Sequence, residues 1–307
     1  MLGTEAIPTM ADPNELLARA DAEAAAEVAA LEQRASPFSA LYAHWERNQW
    51  SALALDLETD RRSFQALDES AQSGMVWIFA HRFHAEFSVA RLLAPFLLAA
   101  PSYDVQLLLA TQVSDEHRHL QAVLRIYEEV FGVRGGIDAV REVADRNMDL
   151  VAEALYARLE HHVGRLSANS DEDEFLAAVV VYHLLAEGVI ARTAQNLAAT
   201  QYERLAFPGL AEGQRLVARD EARHIGIGVS YVRRRMDVAP EQTSAVITRV
   251  MEELLQLWSE LLGPADAELG DLVRSGYGID PIDFYSEALR LVGVRLASVG
   301  YEATFGD

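Results

Sequence analysis

An all-helical fold is what this sequence predicts, and three observations predict it. No segment sustains the apolar–polar alternation of a half-buried strand. Long apolar stretches are instead bounded by helix-starting and helix-stopping residues, Asp or Ser before them and Pro or Gly after them. Half of the 307 residues are apolar, enough for a large core.

Residues 1–10 read as a loose tail. Asp12-Pro13 opens a helix, with Asp as N-cap and Pro in the first turn, and the Ala/Glu-rich run continues to about Arg34, where Ser36-Pro37 breaks it. Phe38 to Asn48 reads as a short helix and Trp50 to Asp60 as irregular chain. Asp68 caps a long apolar helix to about Ala99, and Pro101-Ser102 separates it from the next, about 103–131, which Gly132 and Gly135-Gly136 end. A helix over about 138–168 follows, then one over about 172–205 capped by Ser170-Asp171, then, past Pro208-Gly209, one over about 210–236. Pro240 starts another, to about Leu262. Gly263-Pro264 and Gly276-Tyr277-Gly278 frame a loop with room for one helical turn, and Asp280-Pro281 opens the last helix, about 282–299. Met75, Trp77 and Phe79 are assigned to the core, and His81, His84 and His117 to packing or surface.

Two of these helices carry the same five-residue pattern. Asp115-Glu116-His117-Arg118-His119 and Asp220-Glu221-Ala222-Arg223-His224 both read Asp-Glu-x-Arg-His. Glu and His three apart leave one helix face together, so two such helices facing each other aim Glu116, His119, Glu221 and His224 at one point. Each pattern follows, by about thirty residues, a Glu in an apolar stretch: Glu86 before the first and Glu187 before the second. A lone Glu-x-x-His is common on solvated helices. Two copies with two preceding apolar-stretch glutamates are the ligand set of carboxylate-bridged di-iron and di-manganese bundles, because a buried carboxylate is very costly without a cation. The fold predicted is therefore a ferritin-like helix bundle with a dinuclear metal site in its core. One domain over 1–307 follows from the need for both half-motifs to converge. Oxygen donors with one nitrogen per metal suit Mn and Fe. Asp115 and Asp220 are placed to accept from the outer N–H of the ligand histidines, crosswise: Asp220 on His119 and Asp115 on His224. His183, four before Glu187, could approach the metals, although packing is the ordinary role of a lone histidine on an apolar face.

The formal charge of -21 argues against nucleic acid or an anionic membrane as partner. The absence of cysteine excludes thiolate metal sites and fits a cytoplasmic protein. No secretory signal is visible in Met1 to Pro13. The most apolar stretch, Phe175 to Ala191, is interrupted by His183 and Glu187 and reads as a buried bundle helix, so no membrane span is expected.

From about Leu41 to Met236 the chain resembles the ribonucleotide reductase small-subunit superfamily: Trp50 followed by Asp56 and Asp60, the Glu86 helix and the two Asp-Glu-x-Arg-His motifs match in order and type. Within it the chain is most similar to the ligand-binding oxidases. That resemblance implies a homodimer, a mixed Mn and Fe site that activates dioxygen (di-iron being the variant), and a long-chain fatty acid or similar hydrophobic ligand at the metals. It also implies a tyrosine–valine ether crosslink. The matching positions are Val89, three after Glu86, and Tyr182, five before Glu187 and hence about 140° round an α-helix, flanking the site. Trp50 falls among the residues that support the ligands. A tyrosyl-radical reductase subunit would carry a tyrosine where Val123 stands, and an arylamine N-oxygenase a histidine where Val217 stands. A tyrosine-radical-free reductase small subunit and a di-iron monooxygenase are the alternatives. A metal-storage bundle is the non-enzymatic one.

Overall fold

The computed structural model describes residues 38–148, 150–168, 171–261 and 281–301. The expected tail, the Asp12-Pro13 helix and the loop framed by Gly263 and Gly278 lie outside them. The described residues are helical throughout, with no strand among them. They form α1 (Phe38–Arg47), a single 3-10 turn (Ala52–Ala54), α2 (Glu58–Ala66), α3 (Glu69–Ala99), α4 (Tyr103–Glu129), α5 (Gly136–Asp145), α6 (Leu150–Ala168), α7 (Glu172–Val179), a π-helical segment (Val180–Ala191), α8 (Arg192–Arg204), α9 (Pro208–Val238), α10 (Pro240–Leu261) and α11 (Pro281–Ser298).

The caps explain most of the boundaries. The Asp68 carboxylate accepts from the Ala71 amide at 2.9 Å and starts α3. Asp171 does the same for α7, accepting from Asp173 and Glu174. Gly132, at φ 76°, stops the chain beyond α4 in a conformation that other residues adopt at a cost. The start of α9 is held from a distance. Asp60, fully buried on α2, accepts from the amides of Gly209 at 2.9 Å and Leu210 at 2.7 Å, two donors that the first turn cannot satisfy itself.

Three expectations are corrected. Trp50 to Asp60 is not irregular to its end, because α2 begins at Glu58. The expected helix over 138–168 is two helices, α5 and α6. The expected helix over 172–205 is continuous, but its middle winds as a π-helix from Val180 to Ala191.

Four long elements make the bundle: α3, α4, the α7–π–α8 rod and α9. α3 packs on α4, α4 on α9, and α9 on the π segment, while α1 lies across α4 and α9 and α11 backs the π segment. Met75, Trp77 and Phe79 are in the core as expected. The stretch Glu172–Asn196 is long and apolar enough to cross a membrane by length and composition, yet it is mostly buried inside this bundle.

Candidate metal centre

Four elements each bring carboxylates to the middle of the bundle. α3 supplies Glu86, α4 supplies Glu116 and His119, the π segment supplies Glu187, and α9 supplies Glu221 and His224. All six are buried. Their donor atoms form two groups, one of Glu86, Glu116, His119 and Glu221, the other of Glu116, Glu187, Glu221 and His224, with the atoms of each within 4.8 Å of one another. Glu116 and Glu221 belong to both.

The distances show how the sharing works. His119 Nδ1 lies 3.5 Å from Glu86 Oε2, 3.3 Å from Glu116 Oε2 and 3.6 Å from Glu221 Oε1. His224 Nδ1 lies 3.1 Å from Glu116 Oε1, 3.3 Å from Glu221 Oε2 and 3.7 Å from Glu187 Oε1. Each bridging carboxylate thus turns one oxygen to each histidine. Ligand atoms about 2.1 Å from one ion, at near-right to tetrahedral angles, stand about 3.0–3.4 Å apart, close to the spacings seen. His119 Nδ1, which faces Glu86, Glu116 and Glu221, is buried with no hydrogen-bond partner, as is Glu187 Oε2. The donor set therefore fits two hard cations, one per group.

The outer nitrogens behave as the crosswise expectation requires. His119 Nε2 lies 3.3 Å from Asp220 Oδ2, and His224 Nε2 lies 3.3 Å from Asp115 Oδ2. Each Asp in turn accepts from an indole: Trp50 Nε1 donates to Asp220 at 2.7 Å, and Trp45 Nε1 to Asp115 at 2.9 Å. The motif arginines join in. Arg223 donates to Asp115 at 2.6 Å, and Arg118 reaches both Asp115 at 3.0 Å and Asp220 at 3.3 Å. The two half-motifs are thus related in space as well as in sequence, each pairing a histidine with the other's Asp.

Charge follows from these contacts. Burial raises the Glu86 carboxyl to about 7, against the pull of His119. Burial, with the nearby Glu221 charge, raises Glu187 well above the carboxylate range. Burial also works against ionised Glu116, but His224 and His119 outweigh it and hold Glu116 well below that range. Burial disfavours both imidazoliums; for His119 the Glu86 charge and the Asp220 hydrogen bond prevail, and for His224 the Glu116 charge and the Asp115 hydrogen bond. Protons on the histidines balance the carboxylates here, and two divalent cations would take over that task.

Tyr182 is fully buried and reaches the ligands. Its hydroxyl lies 3.5 Å from Glu116 Oε1 and accepts from Gln112 Nε2 at 3.2 Å, while the same Gln112 nitrogen donates to Glu187 Oε1 at 2.8 Å. This corrects the expectation that Tyr182 flanks the site. The 140° offset assumes α-helical winding, whereas this segment winds as a π-helix, whose wider i to i+5 turn shrinks the offset between residues five apart. Val89 is partly buried and packs on the apolar cluster that contains Tyr182 and Phe96. His183 is not among the grouped donors. Its Nε2 pairs with Gln112 Oε1 at 3.0 Å, and burial, with the charge of His224, lowers it to about 3.

Gln112, Trp45, Arg118 and Arg223 were not singled out from the sequence. The two arginines had a signal, since they recur at the same place in both motifs. Gln112 had a weaker one, four residues before Glu116 and so on its helix face. Trp45 had none, because nothing in its own helix links it to Asp115.

No family model matches the chain. Solved structures do match in shape. A valine-to-isoleucine variant of an R2-like ligand-binding oxidase with aerobically reconstituted Mn/Fe cofactor aligns at TM-score 0.74 and 22% identity, over 86% of this chain and 94% of that one. A glycine-to-leucine variant with anaerobically reconstituted cofactor gives 0.73 and 21%, over 86% and 93%. A tyrosine-to-phenylalanine variant, aerobically reconstituted, gives 0.71 and 20% over the same shares. The chain therefore has the ferritin-like fold that the R2-like ligand-binding oxidases also have.

Proposed function

We propose that the chain is an oxidoreductase that activates dioxygen at a dinuclear carboxylate centre holding Mn and Fe. The observation that carries this is the sharing of Glu116 and Glu221 between two donor groups, each completed by one further Glu and one His. The similarity to oxidases with a Mn/Fe cofactor supports the choice of metals and reaction class. Glu86 and His119 would complete one position, and Glu187 and His224 the other. Bound there, the metal pair would supply the electrons and the open coordination positions that dioxygen reduction needs.

The protein's own residues have three tasks. Asp115 and Asp220 keep the ligand rings in the tautomer that presents Nδ1 inward. The apolar packing around Phe96, Tyr182 and Leu185 keeps water from the approach to the centre. The Tyr182 phenol presents an oxidisable O–H to a ligand carboxylate. Following the ligand-binding oxidases, we assign the centre a fatty-acid-like ligand, its carboxylate at the metals and its tail along apolar walls. To Tyr182 and Val89 we assign an ether crosslink. That crosslink joins the Tyr182 oxygen to the Val89 β-carbon, breaking the phenol O–H and the Val89 Cβ–H bonds, and gives up two protons and two electrons to dioxygen. A homodimeric cytoplasmic protein completes this reading.

Elemental analysis after anaerobic loading tests it. Two metals per chain are expected, with Glu116→Ala and Glu221→Ala losing both, since each serves both positions. Unchanged stoichiometry in either variant rules the assignment out. Peptide maps of air-exposed, loaded protein should show one linked species, lighter than its two peptides by two hydrogens and missing in Tyr182→Phe.

A further inference from the structure

The π-helical segment carries both Tyr182 and Glu187. A π turn closes i to i+5 bonds in place of the commoner i to i+4 ones, so a bond from outside the helix can favour its register. Three consecutive carbonyls at its end show how that register is closed. The Arg192 amide serves the carbonyls of Glu187 and Val189, and Thr193 Oγ1 adds a second donor to Val189 at 2.8 Å. Between them, the Gly188 carbonyl accepts from Arg295 Nε at 2.8 Å. Arg295 comes from α11, which supplies none of the grouped donors. It heads the fully buried side chains by size, at 1% exposure. A guanidinium is costly to bury where an apolar side chain would fill the space, so its place here points to a geometric task.

Two glycines make room for the arrangement. A Cβ on Gly188 would stand 2.9 Å from Arg295 Nε and 3.0 Å from the His183 carbonyl. A Cβ on Gly228 of α9 would stand 2.4 Å from the His183 Cβ. The wider π segment is thus seated between α9 and α11, each approaching it at a position without a side chain.

We propose that Arg295 is a positioning residue for the metal centre, which holds the π register through the Gly188 carbonyl and so delivers Glu187, with Tyr182, to its metal position. This rests on the metal reading above. Glu86, Glu116, His119 and Glu221 lie outside the π segment, so loss of Arg295 should spare their cation and weaken the Glu187-dependent one.

The test is an anaerobic titration of the full chain with Mn and Fe against a competing chelator, read by native mass spectrometry. Arg295→Met should bind one cation as the unaltered protein does and the second at least tenfold more weakly. Its titration should match Glu187→Ala and differ from Glu86→Ala. Arg295→Lys, which keeps a donor, should recover part of the loss. Both cations bound as in the unaltered protein, or both weakened equally, overturns the proposal. If Arg295→Met does not fold, Arg295→Leu, which likewise removes the donor, decides by the same criteria. An unaltered chain that takes fewer than two metals overturns the metal reading and this proposal together. Two metals bound with the same affinities in the unaltered chain and in Arg295→Met overturn this proposal alone.

Discussion

At the scale of single residues, each ligand histidine is gripped on its outer side by a carboxylate that an indole and an arginine already hold. Removing one such carboxylate frees the ring without touching a ligand. Asp220→Ala should therefore keep both metal positions but lower affinity by about 10–100-fold at the His119 position, measured by chelator competition. Protons compete for the same site. Glu86 sits at about 7 rather than 4.5, so below neutrality its ligation must expel a proton. Uptake at about pH 6 should release more protons per metal than at about pH 8, read with an indicator in weak buffer. The linked stability has a definite sign. A carboxyl raised on folding stabilises the metal-free fold fully below about 4.5, and that contribution is lost as pH rises through about 7. The stabilisation gained on metal loading should accordingly grow across that window. The crosswise Asp–His pairs were legible because the motif repeats intact. Trp45 and Gln112 were not, because their roles depend on how α1 and the π segment dock, which no local pattern encodes.

At the scale of elements, the two ends of α9 are not equivalent. Both halves of α9 place residues in the core, and its start depends in addition on one carboxylate borrowed from α2. Asp60→Ala leaves the Gly209 and Leu210 amides buried without an acceptor, and should cost about 2 kcal/mol. Urea denaturation would show this as a lower midpoint at unchanged slope. Capping residues made the starts of α3, α4 and α7 readable to within a few positions, and Pro208 that of α9. The π winding was not readable for a physical reason. From Phe175 to Val189 nearly every position is buried, so burial there has no period from which a register could be inferred. The break between α5 and α6 was hidden for want of a proline or glycine between Asp145 and Leu150.

At the scale of the whole molecule, the centre links helices from both halves of the chain. The chain carries -21 formal charges, and four of its buried carboxylates converge on one spot. Cations that bind only the folded chain stabilise it by mass action, by about 2.7 kcal/mol at a hundred times Kd. Stripping with chelator should lower the melting temperature by about 5 °C or more, and readdition of Mn and Fe should restore it. The sharing of Glu116 and Glu221 also fixes when in the life of the chain a metal can enter. During synthesis α3 and α4 emerge long before α9, yet both donor groups include Glu221. The unfinished chain therefore presents no completed cage to whichever cation is most abundant or most avid. Selection falls to a pocket that closes only when the last of its walls has arrived, so geometry acts before raw affinity can.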